Sequence, residues 1–214
     1  MKNFVPEEIV VERGSEGSLI YRNLRLALPQ VPFRFVEPDG QSAWGGILSE
    51  STARGRGASR RVKDISADNG NGDFGAAKKK LLLARHKGEF LKKCPGSEGQ
   101  VCCNYYVVNF ASNCSMDCSY CYLQEYLAQN PALKVFSNVD DLMAEADKLL
   151  TKHPRFLFRI GTGEIADSLA LEPYIGFARE VVPFFAQQPN VLLELKTKSD
   201  CVDGLVGLDP RERV

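Results

Sequence analysis

The sequence has almost no histidine: His86 and His153 are its only two, and they lie far apart. Histidine-rich zinc sites and Ser-His-Asp arrangements are therefore poorly supported. Net charge is also missing. Lys+Arg and Asp+Glu number 27 each, so bulk charge points neither to nucleic acid nor to an anionic membrane. No apolar run approaches the roughly 20 residues of a membrane-spanning helix. The N-terminus, MKNFVPEEIVVE, has no apolar leader core, so a cytoplasmic location and no membrane partner are the expectation.

Cysteine, by contrast, is plentiful. Cys94, Cys102, Cys103, Cys114, Cys118, Cys121 and Cys201 make seven in 214 residues, and all but Cys201 are crowded into one stretch. An odd total without a secretory context favours metal ligation or redox chemistry over a disulfide scaffold. At 44% hydrophobic and 25% charged, the composition is that of an ordinary globular chain with one large or two small domains.

Along the chain, EIVVE (8–12), SLIYRNLRLAL (18–28) and PFRFVE (32–37) read as strand, helix and strand, which predicts a small β-α-β unit over residues 1–39. No glycine fingerprint accompanies it, so nucleotide binding there is unsupported. Residues 40–79 form a Gly-, Ser- and Arg-rich insert without apolar period, containing Trp44, Arg54, Arg56, Arg60, Arg61 and Lys63 and ending in Lys78 and Lys79, with Lys80 next. Interspersed acids favour a solvated linker over a nucleic-acid contact. KLLLA (80–84) fits either a strand or part of a helix. YYVVNF (105–110), RFLFRI (155–160) and VLLELK (191–196) read as strands. The stretches from Cys121 to Gln129, from Asn138 (as cap) to Lys152 and over 172–187 read as helices. Pro183 should kink or shorten the last of these, and LDPRERV reads as the start of another. Strand–helix alternation with nearly continuous apolar strands predicts a parallel α/β sheet over 80–214.

The stretch CSMDCSYC is the most informative. Cys114, Cys118 and Cys121 stand at C-x3-C-x2-C spacing, between an apolar strand and a helix. Three thiolates on one loop suit a 4Fe-4S cluster, which usually takes four, leaving one iron open to a small chelator. The amino and carboxylate groups of S-adenosylmethionine fit that opening, and an electron from the cluster could then cleave the sulfonium bond. Zinc is the competing metal; it would need a fourth ligand, which Cys94, Cys102 or Cys103 could supply. Those three cysteines fit an auxiliary metal, a redox pair or inert packing equally well. A different class of reading is a non-catalytic metal-binding or nucleic-acid-binding module using the basic 54–63 stretch.

CSMDCSYCYLQ resembles the radical-SAM superfamily, and CYLQ looks like its spore photoproduct lyase branch; RIGTGEIADSLAL (159–171) and LELKTKSDCVDGL (193–205) agree. The resemblance implies a partial radical-SAM (β/α) barrel of parallel strands preceded by a small N-terminal α/β domain. It implies Cys114, Cys118 and Cys121 as cluster ligands, and Tyr120 at the adenine of S-adenosylmethionine. It further implies Tyr120 and Tyr122 in radical return, Gly161, Thr162, Gly163 and Glu164 at the methionyl amine, and Lys198, or alternatively Lys196, at the carboxylate. A reductant protein is implied as a partner, and DNA by the resemblance alone. In this family a hydrogen-donating cysteine precedes the threonine of the turn; here that position is Gly161, which leaves repair by that route in doubt, and nothing in the sequence places the alternative thiol, Cys201, near the radical. Only three strands are countable from Tyr105 to Lys196, so the resemblance also implies a fragment with an open apolar edge, or completion by a second chain.

Overall fold

The computed structural model describes residues 4–38, 78–94, 96, 98–99, 101, 104–127 and 132–214. The insert with Trp44 and the 54–63 stretch, and the Cys102–Cys103 pair, lie outside the described residues.

The N-terminal unit forms as its pattern predicts: β1 (Glu8–Glu12), α1 (Leu19–Ala27) and β2 (Phe33–Val36), with β1 and β2 parallel. Ser18 starts α1 by accepting the Tyr21 N–H at 3.1 Å, which satisfies one of the helix's open donors. KLLLA is a strand, β3 (Lys80–Ala84), and its four apolar residues are buried because both neighbours in the sheet pair with it. It is parallel to β1 on one side and to β7 (Leu133–Phe136) on the other; β6 (Ala111–Ser112) closes the order β2-β1-β3-β7-β6. The N-terminal unit and the start of the following segment thus share one sheet.

The second sheet has the order β4-β5-β8-β9. Here β4 (Leu91–Lys93) is antiparallel to β5 (Tyr105–Val108), and β5, β8 (Phe158–Gly161) and β9 (Val191–Glu194) are parallel. One core joins both sheets, with Ile9, Leu81, Leu133, Phe158, Val191 and Phe185 all below 2% exposed. On β8 and β9 the side chains alternate. Phe158, Ile160, Val191 and Leu193 are buried in the core, whereas Arg159 and Leu192 are exposed.

The loop helix α2 is Leu123–Tyr126, shorter than the expected span. α3 (Val139–Lys152) begins after Asn138 as expected, but the Asn138 side chain makes no cap bond to the helix backbone. It instead accepts from the His86 N–H at 2.8 Å and donates to the His86 carbonyl at 3.1 Å. The expected single helix over 172–187 is two: α4 (Glu172–Ile175) and α5 (Phe177–Ala186). The break falls at Gly176, whose φ of 62° is left-handed, and not at Pro183, which stays inside α5. The terminal LDPRERV is not helical, since Arg211 and Glu212 have positive φ. Its Arg213 carbonyl instead accepts from Leu193 N at 2.7 Å, covering one point of the β9 edge expected to be open. Among the described residues, no helix is long and apolar enough to cross a membrane.

Candidate metal and cofactor site

The cysteine loop leaves β6 through Asn113, which has a left-handed φ of 68° and accepts the Cys114 N–H on its Oδ1 at 2.7 Å. The backbone of Asn113 is held from across the loop by the Ile165 carbonyl, at 2.8 Å. Within the loop, Met116 N donates to Cys114 Sγ at 3.4 Å, and Cys121 N and Gln124 Nε2 both donate to the Cys118 carbonyl. All three thiols are free and half-buried. Burial pushes the Cys114 thiol above its ordinary range, since its thiolate loses water. Among the described residues, no three His, Cys, Asp or Glu side chains converge on a common centre. The donor set nevertheless fits an iron–sulfur cluster: three free thiols on one short loop, none in a disulfide. Cys94 directly follows β4, its N–H bonded to the Tyr105 carbonyl.

A cavity of about 490 Å³ opens beside the loop, and Met116, Cys118, Tyr120, Lys198 and Cys201 are among its walls. Cys114, Cys121, Tyr122 and Glu164 are not. Tyr120 is 75% exposed, with the Lys198 ammonium 6.0 Å from its ring centroid. Tyr122 is also exposed and lies 6.1 Å from the Tyr126 ring; partial burial, followed by the Glu164 charge, pushes its phenol up. Asp167 sets the backbone under Lys198: its carboxylate accepts from Lys198 N, Thr197 Oγ1, Leu169 N and Ala170 N, at 2.7 to 3.0 Å. The sequence pattern gave no sign of this role for Asp167.

The Gly161–Glu164 turn is built by close approach. A Cβ on Gly161 would lie 1.6 Å from the Tyr105 hydroxyl, and one on Gly163 would lie 2.8 Å from Lys196 Cβ. Thr162 is buried and donates to Ser168 Oγ at 2.7 Å. Glu164 is exposed. The Tyr105 phenol donates to Glu194 at 3.1 Å, and Glu194 also takes the Arg159 guanidinium and the Lys196 ammonium, each at 3.0 Å. The Lys196 bond, the largest influence, holds the Glu194 carboxyl below its usual range and Lys196 above its own. Lys196 is therefore engaged with Glu194 and the Tyr105 ring, while Lys198 faces the cavity.

A second unanticipated residue is Lys78. It is 8% exposed, and its ammonium donates to the Met116 carbonyl at 3.0 Å and pairs with Asp117, both inside the cysteine loop. The sequence offered it only as part of a basic run.

Mostly parallel sheets, with a three-cysteine loop between the short β6 and α2, define a partial α/β barrel. The chain belongs to the spore photoproduct lyase family, whose model matches residues 49–214. The spore photoproduct lyase of Bacillus subtilis is 24% identical over 147 residues, which cover 68% of this chain and 41% of that protein. That of a Geobacillus species is 27% identical over 101 residues, 47% of this chain and 30% of that one. A solved spore photoproduct lyase double mutant with bound AdoMet and dinucleoside spore photoproduct superposes with a TM-score of 0.70 at 22% identity, covering 99% of this chain and 55% of its own. A spore photoproduct lyase complexed with the dinucleoside gives 0.71 at 21%, with the same coverage. The chain thus spans less than half the length of the curated relatives it matches.

Proposed function

We propose that this chain is the cluster- and S-adenosylmethionine-binding part of a radical lyase of the spore photoproduct lyase type. In this reading Cys114, Cys118 and Cys121 hold a 4Fe-4S cluster, and residues 80–214 are the N-terminal half of its barrel. The observation that carries the reading is the set of three free thiols on one loop, beside a cavity walled by Tyr120 and Lys198. When bound, the cluster would supply one electron to cleave the sulfonium bond of S-adenosylmethionine, giving methionine and a 5′-deoxyadenosyl radical.

The chain's own residues bind and orient. Lys198 takes the methionyl carboxylate as a charge-assisted contact, and Glu164 takes the ammonium. The glycines at 161 and 163 allow the Gly161–Glu164 backbone to pack closely enough to present that turn. Tyr120 lies against the adenine, and Tyr120 with Tyr122 serves radical return. Gly161 carries no thiol and the Tyr105 hydroxyl fills its side-chain space, so in this reading hydrogen return does not run through residue 161; Cys201, which lines the cavity with Cys118 and Tyr120, is the substitute donor in this proposal. A reductant protein feeds the cluster, DNA carrying the photoproduct is the substrate class, and further sequence or a second chain completes the barrel.

The test is reductive cleavage of S-adenosylmethionine by the anaerobically reconstituted chain. The expected product is 5′-deoxyadenosine, with the concentration for half-maximal rate raised about tenfold or more in Lys198→Ala and little changed in Lys196→Ala. Equal effects of the two substitutions would contradict the lysine assignment, and no 5′-deoxyadenosine with a full cluster would contradict the cofactor assignment.

A further inference from the structure

Lys78 stands just before β3, yet its side chain ends inside the cysteine loop. The backbone under it is fixed: the Lys79 carbonyl accepts the Glu7 N–H at 2.8 Å, and β3 is paired on both sides. A nearly buried ammonium is costly unless its donors are used. Here they are used on Met116 and Asp117, two of the three residues between Cys114 and Cys118. The other partner in the ion pair is open to solvent, with the Asp117 side chain 78% exposed, so water weakens the neutralisation of the buried cation.

We infer that Lys78 is the positioning residue of the cysteine loop: its ammonium ties the Met116 carbonyl to the Asp117 carboxylate and holds one fixed positive charge beside the thiols. The mechanical half of this inference stands on the loop geometry alone. The electrostatic half rests on the cluster reading above. A cation fixed next to a polyanionic cluster favours the form with one more electron, so it raises the reduction potential. Lys78→Met keeps the length of the side chain and removes the charge; Lys78→Arg keeps the charge and the donors.

Two measurements test it. Hydrogen exchange on the cluster-free chain should show the amides from Ser115 to Cys118 exchanging about tenfold faster in Lys78→Met, with Lys78→Arg restoring protection. Unchanged exchange in Lys78→Met overturns the positioning role whether or not a cluster can be assembled. Redox titration of the reconstituted chain should give a more negative midpoint potential in Lys78→Met and a recovered one in Lys78→Arg. If Lys78→Met does not fold, Asp117→Asn serves instead: removing the counter-charge should raise the potential. An unchanged potential in the folded variant overturns the electrostatic role. Failure of the unsubstituted chain to assemble any cluster overturns the cluster reading and the electrostatic half with it, and the exchange result still decides the positioning role.

Discussion

Gly161 and Tyr105 share one volume. The sequence marks Gly161 as a departure from its family, but why the position needs glycine depends on a tyrosine three strands earlier in sequence, in register with Arg159. Gly161→Ala should therefore cost about 1–3 kcal/mol, as overpacking does. In a double-mutant cycle, the cost should shrink when Tyr105 is also changed to Ala. Additive effects in denaturant titrations would contradict the shared-volume account. The same limit hid Lys78 and Asp167. The cysteine spacing is local and legible, whereas these two side chains act on residues tens of positions away, through pairings that no short pattern encodes.

At the scale of elements, the strands were legible where apolar residues predominate over a short run, as in YYVV, FRIG and VLLE. KLLLA was ambiguous because a short apolar run suits a buried helix as well as a buried strand, and only pairing with β1 and β7 decides it. The helix break at 176 was misplaced because proline is the louder signal. Gly176→Ala should cost about 1 kcal/mol from the left-handed backbone, and more if the Asn23 amide, 2.8 Å from the added Cβ, cannot move. Pro183→Ala should leave stability unchanged or higher; the reverse order of the two would contradict this account. The join between β3 and α3 has its own pH signature. His86 packs against Phe90 and Phe136, bonds the Glu89 carbonyl, and is held below its usual pKa chiefly by burial. The folded state resists the proton that the unfolded chain accepts. Its stabilising contribution is therefore whole above about pH 6.5 and is lost as pH falls from there through the lower folded value. Denaturation followed from pH 7.5 to 5 should show that slope, and His86→Gln should flatten it; an equal slope in the variant would exclude His86 as its source.

For the whole molecule, the cysteine loop, the Gly161–Glu164 turn and the segment from Lys196 to Lys198 meet in one neighbourhood, although they come from three separate stretches of chain and the loop leaves a different sheet from the other two. Their order along the sequence hinted at this, because strand–helix repetition returns each strand end to the same side. That Lys196 is engaged while Lys198 lines the cavity was not legible, since it depends on Glu194 and the Tyr105 ring holding the first. Chain length also matters at this scale: 41% of the Bacillus subtilis relative is covered, so cluster assembly is a more direct test than lyase turnover. The decisive measurement is iron and sulfide analysis after anaerobic reconstitution, on the unsubstituted chain, Cys118→Ala and Cys201→Ala. The account predicts about four iron and four sulfide per chain, lost in Cys118→Ala and kept in Cys201→Ala. A single zinc without sulfide, or a cluster indifferent to Cys118→Ala, would contradict it.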